Sequence, residues 1–107
     1  YREEIESLRD IISVEVSSIK ASFVALDEIT IKIGSGATPR GGESAYKQSG
    51  ISLIRSQNIY DNGMREKGLV FIDAKQAKKL DNVTVKKEDI LFNITGASVA
   101  RCCMVEE

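Results

Sequence analysis

The stretch Arg55-Ser56-Gln57-Asn58 carries four side chains whose donors and acceptors suit nucleic-acid bases. In the major groove a guanidinium matches O6 and N7 of guanine, and a Gln or Asn carboxamide matches N6 and N7 of adenine. The four follow the apolar run at 51–54 and precede Tyr60-Asp61-Asn62-Gly63. That places them at the end of an expected strand, just before a turn, where a scaffold presents contact residues. Tyr60 and Asn62 carry the candidate contact set into the turn itself. The same residues also have a structural reading, in which Asn58 caps the turn and Gln57 is solvated.

A second candidate lies upstream, in Thr38-Pro39-Arg40-Gly41-Gly42. Small residues let backbone approach a phosphate, and Thr38 and Arg40 offer donors to it. The preceding Gly34-x-Gly36 matches neither the dinucleotide fingerprint nor the P-loop, so a structural turn is the competing reading. Lys47 adds a cation nearby, and Lys78-Lys79 and Lys86-Lys87 form two charge pairs. Such pairs either face water or neutralise phosphates, each neutralised phosphate adding about 0.9 to the salt slope of binding. Of these, Lys78 and Lys79 are the contact candidates.

Other chemistries are excluded by composition. The chain has no histidine, which removes Ser-His and Cys-His catalysis and makes most zinc sites untenable. Its two cysteines, Cys102 and Cys103, are adjacent, with neither metal spacing nor a disulfide framework. As free thiols on a strand, one faces in and one out. No cofactor and no metal site is expected in this chain. The net charge of −1 is unevenly spread. Residues 1–39 hold 4 Lys/Arg against 7 Asp/Glu, a net of −3, and residues 40–105 hold 11 against 7, a net of +4. Any phosphate-facing surface therefore belongs to the later part. A length of 107 residues suits one modest core. Without an apolar run of roughly 20 residues or a signal-type N-terminus, a soluble intracellular protein is expected.

The elements that must position these residues begin with a helix over 1–22. Ile5, Leu8, Ile12, Val16, Ile19, Phe23 and Leu26 step by 3 or 4 residues, a mean stride of 3.5. That period favours packing against a second helix, self-association included, over lying on its own domain. Leu26 and Ile29 are expected to anchor the following domain, over 23–107, in its core, ahead of a short strand at Thr30–Ile33. Glycine density makes 34–50 a loop region. Further strands are expected at 51–55, 68–72, 90–94 and 99–105, with a turn at Asn62-Gly63. A short helix follows Asp73 as N-cap, and a turn at 86–89 is tied by Asp89. The fold class is α+β, a small strand-rich domain carried on a coiled-coil-type helix. The chain opens without Met on a helical pattern and closes on what reads as an unfinished strand, as a C-terminally incomplete piece of a longer protein would.

Two phrases about fifty residues apart connect this layout to a family. The first is Ile33-Gly34-Ser35-Gly36-Ala37-Thr38-Pro39-Arg40 with Leu53-Ile54-Arg55-Ser56-Gln57-Asn58-Ile59, and the second is Val85-Lys86-Lys87-Glu88-Asp89-Ile90-Leu91-Phe92-Asn93-Ile94-Thr95-Gly96. In this order they resemble the target recognition domain of type I restriction-modification specificity subunits, over residues 23–107. The family pattern has Gly or Glu at the position of Glu88 and often Gly-Arg where this chain has Ala100-Arg101. The resemblance implies a non-catalytic DNA reader of a prokaryotic cytoplasm. It would recognise one half of a bipartite target, and residues 1–22 would be the end of a spacer helix, as before the second of the two domains. Modification subunits would bring S-adenosylmethionine and methylate adenine. A motor-nuclease restriction subunit would bring ATP and Mg and cleave. The alternative class is a coiled-coil protein-interaction module indifferent to DNA.

Overall fold

The structure, a computed structural model, describes Asp10, Ile11, Ile19 and residues 21–107. Ile5, Leu8, Ile12 and Val16, and with them most of the expected spacer helix, lie outside the described residues. Asp10 and Ile11 are helical, and both Ile11 and Ile19 are exposed. The chain divides into two units, Tyr1–Ile33 and Gly34–Glu107.

In the first unit, α1 (Leu26–Ile29) is a single turn whose end is fixed by the Thr30 hydroxyl donating to the Leu26 carbonyl at 2.7 Å. Two expectations fail here. Leu26 and Ile29 are exposed rather than anchored in a core, and Thr30–Ile33 forms no strand. Thr30 has extended dihedrals, but an extended segment becomes a strand only with a ladder partner, and none pairs with it among the described residues.

The second unit is mixed α+β, built from three two-stranded antiparallel sheets. β1 (Ile51–Leu53) pairs with β4 (Val70–Ile72), β2 (Ile59–Tyr60) with β3 (Gly63–Met64), and β5 (Ile90–Phe92) with β6 (Cys102–Met104). β1, β4, β5 and β6 are shorter than the runs that announce them, and β2 and β3 form where only a turn is expected. β1 stops at Leu53 because the chain enters a 3₁₀ turn at Ser56–Asn58. β6 starts only at Cys102 because Ala100 adopts a left-handed φ of 73°. The β2–β3 loop is Asp61-Asn62, with Gly63 (φ 125°) closing it opposite Tyr60.

Between β4 and β5 lies α2 (Ala74–Lys79). Its cap is reciprocal: the Gln76 amide donates to Asp73 Oδ1 at 2.8 Å, and the Asp73 amide donates to Gln76 Oε1 at 2.9 Å. Two of the helix's orphan amides are satisfied this way. Asp89 does the same for its turn, accepting from the Lys86 amide at 2.8 Å.

The β2–β3 hairpin lies against β6. Ile59, Ile72, Cys103 and Val105 make the buried apolar core. In β5–β6 the period-2 alternation puts Leu91 and Cys103 on the inner face, with Ile90, Phe92 and Met104 outward and exposed. The cysteines split as expected, Cys103 buried and Cys102 half-buried, both free. Burial pushes the Cys103 thiol pKa up, against a smaller opposing effect of its hydrogen bond with the Tyr60 backbone. No helix among the described residues is long and apolar enough to cross a membrane.

Candidate functional site

The segment 55–60 is held from within. The Arg55 amide donates to Asn58 Oδ1 at 3.0 Å, and Asn58 Nδ2 donates to the carbonyls of Arg65 (3.0 Å) and Lys67 (3.3 Å). At 1% exposure, Asn58 thus uses both amide protons and its oxygen on backbone. It is the brace of the 3₁₀ turn and of the return strand. Nothing of its carboxamide reaches outward to a base.

Arg55 is committed in part. Its Nη2 donates to the Gly68 carbonyl at 2.6 Å, its guanidinium carbon stands 5.3 Å from the Tyr46 ring centroid, and its Nε is buried without a partner. Gly68 has a φ of 75°, and a Cβ there would stand 3.0 Å from Gln57 Nε2. Ser56 and Gln57, by contrast, are exposed.

Across from this turn, the β5–β6 connection is drawn in by Asn93. Asn93 is buried at 5% exposure, and its Nδ2 donates to the Ser56 carbonyl at 2.9 Å and to Ser98 Oγ at 3.0 Å. Its backbone continues the ladder, donating to the Arg101 carbonyl at 2.9 Å and accepting from the Ala100 amide at 2.8 Å. The Cys102 amide donates to Asp61 Oδ1 at 3.1 Å, tying the tip of one hairpin to the start of β6.

These ties leave an open concavity of about 410 Å³. Ser56, Gln57 and Tyr60 contribute from the first hairpin, and Thr95–Ser98 with Arg101 from the β5–β6 connection. The Arg65 and Arg101 guanidinium carbons stand 3.6 Å and 4.4 Å from the Tyr60 ring centroid. A guanidinium over an aromatic face gains about 0.5–1 kcal/mol at exposed sites, which favours these two cations beside one ring.

Of the residues singled out in the sequence, then, the structure brings Ser56, Gln57 and Tyr60 together at one concavity. Thr38, Arg40, Lys47, Asn62, Lys78 and Lys79 are exposed but not among its lining residues. Lys47 is held through its backbone, donating to the Phe71 carbonyl at 2.8 Å, and Lys78 and Lys79 occupy the last turn of α2. Sequence reasoning missed Arg65, Asn93 and Arg101 as members of this region. A signal existed for Asn93, a lone carboxamide inside the apolar run at 90–94. For the two arginines only the basic balance of 40–105 pointed the right way.

The concavity can do recognition chemistry. It offers hydroxyls from Ser56, Thr95 and Ser98, one exposed carboxamide from Gln57, and guanidinium donors from Arg101. No protein-family model matches this chain, and no curated protein or solved structure was found to be similar to it.

Proposed function

We propose that the chain is a DNA target recognition domain of the type I restriction-modification specificity class, reading one half of a bipartite duplex target. The observation that carries this reading is the concavity itself, where an exposed Gln57 stands beside the hydroxyls of Ser56 and Ser98 and the guanidinium of Arg101. A carboxamide for a base edge next to a cation for the backbone is the pairing that groove recognition needs. Backbone conformation adds support. Glu88 and Ala100 have left-handed φ values of 71° and 73°. The family pattern has Gly or Glu at the first position and often Gly at the second, and glycine is the residue that adopts such angles without steric cost.

In this reading residues 1–22 form part of the spacer, and the domain carries no reaction of its own. Modification subunits with S-adenosylmethionine methylate adenine, and a restriction subunit using ATP and Mg translocates and cleaves. Gln57 is the leading base reader. Arg55 contributes only what its bond to Gly68 leaves free.

Selection from a randomised duplex library, followed by sequencing, tests the proposal. The expected result is a short enriched motif, and Gln57→Ala relaxes one position of it by about 1–3 kcal/mol of discrimination. Enrichment of no motif by the chain, alone or assembled with modification subunits, would sink the reading.

The second reading, a protein-interaction module, is favoured by one observation. The outward face of β5–β6 leaves Ile90, Phe92 and Met104 exposed, with Ile94 just beyond. Contiguous apolar surface of that kind marks contact sites on proteins. Affinity indifferent to DNA, with capture of a protein through this face, is the outcome it requires.

A further inference from the structure

We propose that Arg65 and Arg101, both held against the ring of Tyr60, form a clamp for a phosphodiester of the DNA backbone beside the base read by Gln57. This rests on the DNA-reading function proposed above and assigns the backbone contact within it. The sequence pointed elsewhere for that contact, to Thr38, Arg40, Lys78 and Lys79.

Three observations favour the arginines. Both guanidinium carbons lie within 4.4 Å of one ring centroid, so two like charges are gathered at a single place. Among the described residues neither is paired with a carboxylate. Asp61, next to Tyr60 in the chain, has Oδ1 engaged by the Cys102 amide. Two uncompensated guanidiniums against one ring repel each other, and an anion beside them relieves that repulsion. Second, the ring restrains both planar donor forks before any ligand arrives, so less side-chain freedom is lost on binding, and the fork geometry suits phosphate oxygens. Third, Arg101 shares the concavity with Gln57, which places backbone contact and base contact at one opening. Among the described residues, Lys78 and Lys79 on the last turn of α2 stand over no aromatic ring.

A duplex is preferred over free phosphate because the concavity is open to solvent rather than enclosed. Its hydroxyls, from Ser56, Thr95 and Ser98, line a surface without enclosing an ion.

The test is a salt series of binding to a labelled duplex carrying the selected motif, with the full chain as wild type, Arg65→Gln, Arg101→Gln and Arg65→Lys. Each Gln variant is expected to lower the magnitude of the log K against log salt slope by about 0.9 while leaving the enriched motif unchanged. Arg65→Lys, which keeps the charge, holds the slope. Arg65 is exposed, so it carries the test if Arg101→Gln fails to fold by circular dichroism. Wild-type binding with unchanged slopes in the Gln variants overturns the clamp and leaves the DNA reading intact. A wild type without DNA affinity overturns both. Saturable sub-millimolar binding of inorganic phosphate, lost in the Gln variants while their DNA slopes stay at wild type, overturns the backbone assignment in favour of a free anion.

Discussion

Two buried asparagines, Asn58 at 1% exposure and Asn93 at 5%, stand beside the two hairpins that frame the concavity, yet their bonds reach over different distances along the chain. Asn58 joins Arg55, Arg65 and Lys67, all within nine residues, and so closes a hairpin on itself. Asn93 joins Ser98, five residues away, and Ser56, thirty-seven residues away, and so brings two hairpins to one place. The local brace makes an element, whereas the long-range one makes a site. That difference separates what a substitution does to stability from what it does to recognition.

The strongest way to break the comparison is Asn58→Ala. It strips partners from three backbone groups, the Arg55 amide and the Arg65 and Lys67 carbonyls, beside a fully buried side chain. A group left unsatisfied costs about 1–3 kcal/mol where water cannot reach it and less where it can, as at the exposed Arg65 and Lys67. A loss of about 3 kcal/mol is expected in urea unfolding, a large fraction of the roughly 5–15 kcal/mol that keeps a native protein folded. A stable Asn58→Ala variant with altered base preference would reverse the assignment and make Asn58 a reader after all.

Asn93→Ala should rank second, at about 2 kcal/mol. Its signature is separation of the two hairpins while each stays paired. In amide exchange, protection is expected to fall across 95–101 and at Ser56 more than in β5–β6. DNA binding should weaken more than stability alone accounts for, because Arg101 and Gln57 lose their common frame. Uniform loss of protection throughout the unit would reduce Asn93 to an ordinary core residue.

The contrast between the two asparagines also accounts for what could be read from the sequence. Bonds that close within three residues were legible: Asp73 with Gln76, Asp89 with Lys86, and the tight turn that Asn62-Gly63 closes between Tyr60 and Met64. Their chemistry is complete in the local string. Asn58 was legible only as an alternative, since a carboxamide beside an Arg and a Gln looks the same whether it caps a turn or faces a base. Its burial depends on Arg65 and Lys67, which are brought back by the hairpin. The concavity was illegible because it requires Asn93 to find Ser56. Thr30–Ile33 failed for a related reason: β-branched residues make a strand favourable, but a ladder needs a second strand, and sequence pattern does not supply it.

A smaller effect sharpens the Asn93 side. Ser98→Ala removes one acceptor of Asn93 Nδ2 and leaves the Ser56 carbonyl in place. The expected cost is about 1 kcal/mol, that of one net hydrogen bond. In a double-mutant cycle, Asn93→Ala and Ser98→Ala should couple, while Asn58→Ala and Ser98→Ala should add. Additivity in the first pair would mean that the serine is held by its own loop.

The smallest effect has the opposite sign. Ala100 stands at a φ of 73°, and its amide donates to the Asn93 carbonyl, so the bend that ends the β5–β6 connection is fixed by Asn93 against the preference of the residue. A left-handed L-residue costs about 1–2 kcal/mol. Glycine removes that strain but has more freedom in the unfolded chain, worth roughly 0.5–1 kcal/mol. Ala100→Gly is therefore expected to raise stability by about 0.5 kcal/mol, read as a small upward shift of the urea midpoint at constant m-value. A gain of that size would show that the strain at Ala100 is stored in the native state and borne by Asn93. A loss would show that Ala100 is relaxed there, and that the β-carbon restricts the unfolded chain more than it strains the folded one.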